Sequence, residues 1–131
     1  MRTLAIGDIH GCFTSLQALE AFVPIRHDDL VVGLGDYIDR GPNSCAVIDW
    51  HLHRQKIGKL VALRGNHEAM MLKARRGGNS FGIWLGYGGK ETLASYSPLG
   101  DEGRLSDVPE PHWRFFESEQ RRFSWIANRM V

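Results

Sequence analysis

Cysteine is scarce in this chain: Cys12 and Cys45 are the only two in 131 residues. They form no CxxC pair and no framework of bridges. That excludes a disulfide-stapled scaffold and a thiolate metal knuckle, and it points to a reducing, cytoplasmic setting. Proline is scarce too. Of five, Pro98, Pro109 and Pro111 crowd into residues 97–111, which reads as a polar connector, so the remainder is free to form regular structure. No apolar run approaches the roughly 20 residues of a membrane-spanning helix. The start, MRTLAIGDIHG, has too short an apolar stretch for a signal peptide. Neither sign of charge dominates, with 16 Lys and Arg against 15 Asp and Glu and a net charge of +1. That balance gives no general attraction to nucleic acid or a membrane surface, so neither is expected as a partner. The basic runs Lys73 to Arg76 and Arg121-Arg122 read as solvated helix faces.

What the chain does have is three short apolar runs: Thr3 to Ile6, Leu30 to Leu34 and Leu60 to Leu63. They lack polar alternation, as expected for strands covered on both faces. Each leads into a polar cluster, GDIHG, GDYIDRG and RGNHE respectively. Helical patterns lie between the runs. Thr14 reads as an N-cap with Gln17 completing a capping box, and Asn43 or Ser44 can cap a second helix that carries Val47, Trp50 and Arg54 on one face. A third helix is predicted from His67 to a stop at Gly77-Gly78. The stretch GGNSFGIWLGYGGKETLASY reads as a loop-bearing region with short helices around Trp84 and Thr92. A last helix is predicted from near Pro111, with Trp113, Phe116 and Phe123 on it.

The order is β-α-β-α-β-α. The separations from Asp8 to Asp36 and from Asp36 to Asn66 are near the length of one βαβ unit, about 30 residues. Right-handed crossovers make the strands parallel and put their carboxyl ends on one edge. The chain is thus an α/β protein of one domain, residues 1–131, with its three polar clusters side by side.

Those clusters carry metal and phosphate chemistry. Asp8 and His10 are two residues apart, and extended chain would point both side chains the same way. Asp36 arrives from the next strand and can bridge two cations, and Asn66 arrives from the third with a neutral amide oxygen. These are two half-sites sharing Asp36, and their mixed nitrogen and oxygen set suits manganese, iron or zinc. His67 should lie beside the cations without binding them, placed to protonate a leaving alkoxide. Asp39 could orient that imidazole and raise its pKa. Arg40 offers a planar fork for phosphate oxygens, and Arg64 does the same or pairs with a carboxylate. The glycines at 7, 11, 35, 41 and 65 let the backbone turn and crowd the site.

GDIHG, GDYIDRG and RGNHE together resemble the three N-terminal signature blocks of the calcineurin-like metallophosphoesterases. Their form is most similar to the bacterial serine/threonine phosphoprotein phosphatases, and WLGYGGKETLASY is similar to the segment that follows in them. The resemblance implies one metal on Asp8, His10 and Asp36 and a second on Asp36 and Asn66, with manganese foremost and iron or zinc as alternatives. It implies His67 as general acid paired with Asp39, and Arg40, Asn66 and Arg64 toward the phosphate. The substrate would be a phosphoprotein or a small phosphoester. Alternatives are a symmetrical dinucleoside tetraphosphatase or other small-molecule phosphoesterase, and a non-catalytic remnant that binds metal or phosphate.

The family also supplies two late histidines, in a His-Ala-Gly strand end and a Gly-His-Thr type turn. Neither is present. Past His67 the only histidine is His112, which reads as a surface helix residue. The expectation is therefore an incomplete metallophosphoesterase domain, the N-terminal half of a fold that usually forms a four-layer α/β/β/α sandwich. Its second metal would be weakly held and its hydrolysis impaired. Association with a second copy through an uncovered sheet face is a further expectation.

Overall fold

A computed structural model of the chain describes residues 1–118. The three apolar runs form strands β1 (Thr3–Ile6), β2 (Leu30–Gly33) and β3 (Lys59–Ala62). They pair in parallel in the order β1-β2-β3, with Ile6, Gly33 and Ala62 in register at their carboxyl ends. The helices are α1 (Phe13–Phe22), α2 (Ser44–Ile57), α3 (Asn66–Arg75), α4 (Asn79–Trp84), α5 (Lys90–Tyr96) and α6 (residues 110–118). The β-α-β-α-β-α order read from the sequence is what forms, and all three strand ends lie on one edge.

Successive strand residues face opposite sides of a sheet. On one side Ile6 and Ala62 join the main core, with Leu16, Tyr37, Ile38, Val47, Ile48, Met71 and Trp84. On the other, Val32 and Val61 pack with Leu30 and Leu63 in a smaller cluster. Coverage on both faces therefore holds for the middle of β2 and β3. It does not hold for β1, an edge strand whose Thr3 and Ala5 are exposed.

Several local expectations are corrected. Thr14 and Gln17 form no capping box. Helix α1 begins two residues earlier, capped at Cys12 rather than Thr14, and has no side-chain cap. Its start is fixed by tertiary contacts, since the Gly11 N–H donates to Tyr37 O (2.8 Å) and Gly11 O accepts from the Asn43 N–H (2.9 Å). Asn43 does cap α2, its Oδ1 accepting the Ala46 N–H at 3.2 Å. In the region from 79 to 96 the short helices expected around Trp84 and Thr92 form, and a tight helical turn broken at Gly88 stands between them in place of an open loop. A five-residue π turn (Leu85–Gly89) joins α4 to α5, kinked at Gly88, whose φ is 108°.

His112 is not a surface residue. It is 2% exposed, between the Tyr96 hydroxyl at Nδ1 (2.7 Å) and Asp49 at Nε2 (2.7 Å). The apolar face of α6, which buries Trp113, Phe115 and Phe116, turns it inward, and it ties α2, α5 and α6 together. Of the basic run from Lys73, Arg75 lies 4.2 Å over the Trp113 ring. Arg121-Arg122 and Phe123 lie outside the described residues.

Two charged groups in the frame yield predictions. Asp29, fully buried, accepts from Arg2 Nε (3.1 Å) and Nη2 (2.6 Å) and from the Arg26 N–H (2.7 Å), joining the starts of β1 and β2. The Arg2 guanidinium foremost, with the main-chain donors, holds its carboxyl well below the usual range against the effect of burial. A depressed carboxylate stabilises the fold above its unfolded value and loses that contribution as pH falls below about 4. Asp29→Asn should lower the melting temperature at pH 7, with the gap to wild type shrinking from about pH 4 downward. Calorimetric melts across that range decide it, and a gap that stays constant would refute the ion-pair account.

Arg54 is the opposite case. It is buried, and its Nε and Nη2 have no acceptor among the described residues. Unpaired buried donors are costly, so Arg54→Met should raise the stability by roughly 1–3 kcal/mol, read from the urea midpoint.

Candidate metal centre

Each strand ends in a polar loop, and the backbone there is unusual. Among the described residues, the non-glycine positions with positive φ are Asp8 (53°), His10 (45°), Asp36 (56°), Asp39 (77°) and Arg40 (73°). All five belong to the first two clusters. The extended conformation expected to aim Asp8 and His10 the same way is therefore not what forms. The chain must reverse from β1 into α1 within a few residues, and left-handed turns do this. Such conformations cost on the order of 1–3 kcal/mol each and persist only where surrounding structure over-determines them.

The contacts that hold them can be named. The His10 N–H donates to Asp36 O (2.9 Å), which docks the first loop on the second, and the Arg40 N–H donates to Gly88 O (3.1 Å). Glu68, in the first turn of α3 and fully buried, holds Asp36 together with its neighbours. Its Oε1 accepts the N–H groups of Asp36 (2.7 Å) and Gly65 (2.9 Å), and its Oε2 those of Tyr37 (3.0 Å) and Ile38 (3.4 Å). One carboxylate thus fastens the loop after β2 to the loop after β3. Burial pushes the Glu68 carboxyl up to about 7, with the Asp36 charge adding and the main-chain donors opposing. The loops approach so closely that a Cβ on Gly35 would lie 2.5 Å from Gly65 N, and one on Gly65 would strike the Asp36 carboxylate.

Asp36 and Asn66 meet on this frame. With its nitrogen turned inward, the Asn66 amide donates to Asp36 Oδ1 (2.9 Å) and Oδ2 (3.2 Å). With its oxygen inward, three oxygens crowd together, the orientation that a shared cation would select. Asp36 Oδ1 also accepts the His67 N–H at 3.2 Å. The His10 ring lies edge-on to the His67 ring, centroids 4.7 Å apart. His10 Nδ1 is 2.8 Å from Ile38 O, so it donates there and leaves Nε2 as the nitrogen available to a cation. Asp8 stands exposed on the same edge, and its carboxylate has no hydrogen-bond partner among the described residues. No three His, Cys, Asp or Glu side chains among the described residues form a closed cage. The carboxylate, imidazole and amide donors are nonetheless the kinds that a divalent transition ion takes.

Beside them sits a buried pair. His67 Nδ1 lies 2.8 Å from Asp39 Oδ2, with side-chain exposures of 4% and 0%. The Trp84 Nε1–H donates to the same oxygen (2.9 Å) and the Thr92 hydroxyl to Oδ1 (2.7 Å). Burial pushes the Asp39 carboxyl up, while Thr92, His67 and Trp84 oppose it. Arg40 is exposed next to the pair, and its guanidinium has no partner among the described residues. Arg64 is placed differently from its expected phosphate role. Its Nε donates to Phe116 O (3.0 Å) and its Nη2 to Glu117 O (2.8 Å), because the end of α6 packs over the loop after β3.

Reading the sequence for chemistry alone passes over Glu68, Trp84 and Thr92. Glu68 had a local signal: it lies three residues after Gly65, the spacing of a capping box. Trp84 and Thr92 had none, being 45 and 53 residues from Asp39. Glu68→Ala would leave four main-chain N–H groups without their acceptor, buried at Tyr37 and Ile38 and half-buried at Asp36 and Gly65, at roughly 1–3 kcal/mol for each that water cannot reach. It is expected to lower the thermal midpoint sharply, and an unchanged melt would remove Glu68 from its central place.

Comparison with known proteins gives the family of the chain. The family model for calcineurin-like phosphoesterases matches residues 1–128. Serine/threonine-protein phosphatase 1 of Salmonella typhimurium is 44% identical over 87 residues, covering 64% of this chain and 37% of that protein. The symmetrical bis(5'-nucleosyl)-tetraphosphatase of Dechloromonas aromatica is 38% identical over 84 residues, 62% of this chain and 29% of that protein. The solved metallophosphoesterase of Sphaerobacter thermophilus has a similar fold, with a TM-score of 0.54 at 17% identity over 90% of this chain and 40% of that one. The chain spans only 37% and 29% of the length of these two curated relatives. Two strand-end loops tied by Glu68, a third docked on them through His10 and Asp36, and the Asp39–His67 pair beside Asp36 and Asn66 make up the site of a chain that, by the match over residues 1–128, belongs to the calcineurin-like phosphoesterase family.

Proposed function

We propose that the chain carries the N-terminal part of a metal-dependent phosphoester hydrolase domain of the serine/threonine protein phosphatase type. The observation that carries this reading is the buried Asp39–His67 pair set directly beside Asp36 and Asn66. The identity to the Salmonella phosphatase supports the substrate class. Asp8, His10 and Asp36 would hold one divalent cation, and Asp36 and Asn66 would contribute to a second. Cations bound there supply Lewis acidity toward phosphoryl oxygens and lower the pKa of water.

The chain's own residues do the rest. An ionised Asp39 is acceptor only, and its Oδ2 already takes two donors, so His67 must present Nδ1–H to it. Nε2 is then the ring nitrogen that can deliver a proton to a leaving alkoxide, and the geometry holds it in one orientation. Arg40, exposed and with no guanidinium partner among the described residues, would fork two phosphate oxygens. Asn66 can turn its amide between Asp36 and substrate.

The test is a calorimetric titration with Mn²⁺ alongside a p-nitrophenyl phosphate assay. Manganese should bind, and Asp36→Asn should weaken binding by at least about tenfold. Arg40→Ala should raise KM more than it lowers kcat. Binding without any turnover would favour a non-catalytic metal- or phosphate-binding remnant, and no metal binding would defeat both readings. Phosphopeptides against dinucleoside polyphosphates separate the protein phosphatase reading from that of the tetraphosphatase relatives.

A further inference from the structure

The Asp39 carboxylate is held far more completely than a surface turn requires. It is fully buried and takes one donor from each of three distant places: the start of α3 (His67 Nδ1), the end of α4 (Trp84 Nε1) and the middle of α5 (Thr92 Oγ1). Thr92 is doubly engaged. Its hydroxyl donates to Asp39 Oδ1 (2.7 Å), and the same oxygen accepts the Asp39 main-chain N–H (2.8 Å). Ser44 Oγ is 3.1 Å from it, and since the Thr92 proton is committed, Ser44 must be the donor. The hydrogen-bond order is therefore Ser44 to Thr92 to Asp39. Trp84 and Thr92 flank the π turn, so the whole of α4 to α5 is clamped on this single side chain.

We infer that Thr92 and Trp84 are positioning residues for the proton donor: by fixing the Asp39 carboxylate from two sides, they fix the orientation of the His67 imidazole. The inference rests on the reading of His67 as general acid. Its geometric content stands apart from turnover. Without the Thr92 donor, Oδ1 loses its anchor, and the carboxyl group can rotate away from the line that aims Oδ2 at Nδ1. Without the Trp84 indole, Oδ2 has only His67 and gains freedom about the same bond. In either case Nε2 no longer has a fixed direction. The hydroxyl matters here rather than the bulk of Thr92, so valine and serine should behave differently although valine matches threonine in shape.

The test uses the full chain and two readouts. In proton NMR, the His67 Nδ1–H should give a resolved downfield resonance, assigned by its loss in both His67→Gln and Asp39→Asn. Thr92→Val should abolish it or broaden it by exchange, Thr92→Ser should keep it, and Trp84→Phe should weaken it. Folding is checked by circular dichroism, and if Thr92→Val fails to fold, Trp84→Phe carries the comparison. A Thr92→Val spectrum with the wild-type resonance would overturn the inference.

The second readout is leaving-group dependence. An alkyl phosphate needs protonation of its alkoxide, whereas p-nitrophenolate departs readily. Thr92→Val should therefore lose about tenfold more kcat/KM on an alkyl phosphate than on p-nitrophenyl phosphate, a part of the 10²- to 10⁴-fold that a general acid contributes. Thr92→Ser should restore the ratio, and equal losses on both substrates would overturn the positioning role. Absence of turnover in the wild type would count against the proposed reaction, and the resonance alone would then decide the inference.

Discussion

The carboxylate of Glu68 accepts main-chain N–H groups from Asp36, Tyr37, Ile38 and Gly65, and the rest of the site depends on that gathering. Parallel strands deliver their ends to one edge, but they do not bring the following loops into contact. Two loops that each carry an acidic or polar ligand would spread into solvent if nothing tied them. A buried acceptor at the start of α3 ties them without using any chemistry-bearing side chain. Asp36, His10 and Asn66 are left free for a ligand because the backbone around them is satisfied elsewhere.

Backbone strain and packing are two sides of one arrangement. Five non-glycine residues sit in left-handed conformations that an isolated chain would rarely adopt. Four of them are pinned by named bonds: His10 to Asp36, Asp36 to Glu68, Arg40 to Gly88, and Asp39 to Ser44 and Thr92. Strain of this kind pre-aims side chains, so a cation or phosphate would meet groups that need little reordering. The cost falls on the core, which is why the largest fully buried side chains include Trp84, Tyr37 and Ile38, all within or against these loops.

Much of this was legible in the sequence, and the parts that were not share a physical cause. Strands and their parallel order follow from short unalternating apolar runs at βαβ spacing. The clusters follow because chemistry-bearing residues at strand ends have few structural reasons to be there. What failed were inferences that treated a residue through its neighbours in sequence alone. Thr14 looked like a cap because Gln17 follows it, but the start of α1 is set by Gly11 docking on Tyr37 and Asn43. His112 looked exposed among Pro, Glu and Arg, but it answers to Asp49 and Tyr96. Arg64 beside RGNHE read as a phosphate fork or the partner of a carboxylate, and its bonds to the carbonyls of Phe116 and Glu117 had no local mark either. Thr92 and Trp84 carry no local mark of their link to Asp39, because a hydrogen bond across about fifty residues leaves no periodicity to read.

The π turn between α4 and α5 has a geometric consequence. An α-helix advances about 100° per residue, so positions eight apart overshoot two full turns by about 80°. On an unbroken helix, the indole of Trp84 and the hydroxyl of Thr92 would face different directions. The kink at Gly88 breaks that helical phase, and both groups reach one carboxylate. The residue count between them thus acts as a phase setting: inserting or deleting one residue from 85 to 89 would swing α5 round its own axis and leave Asp39 gripped from one side.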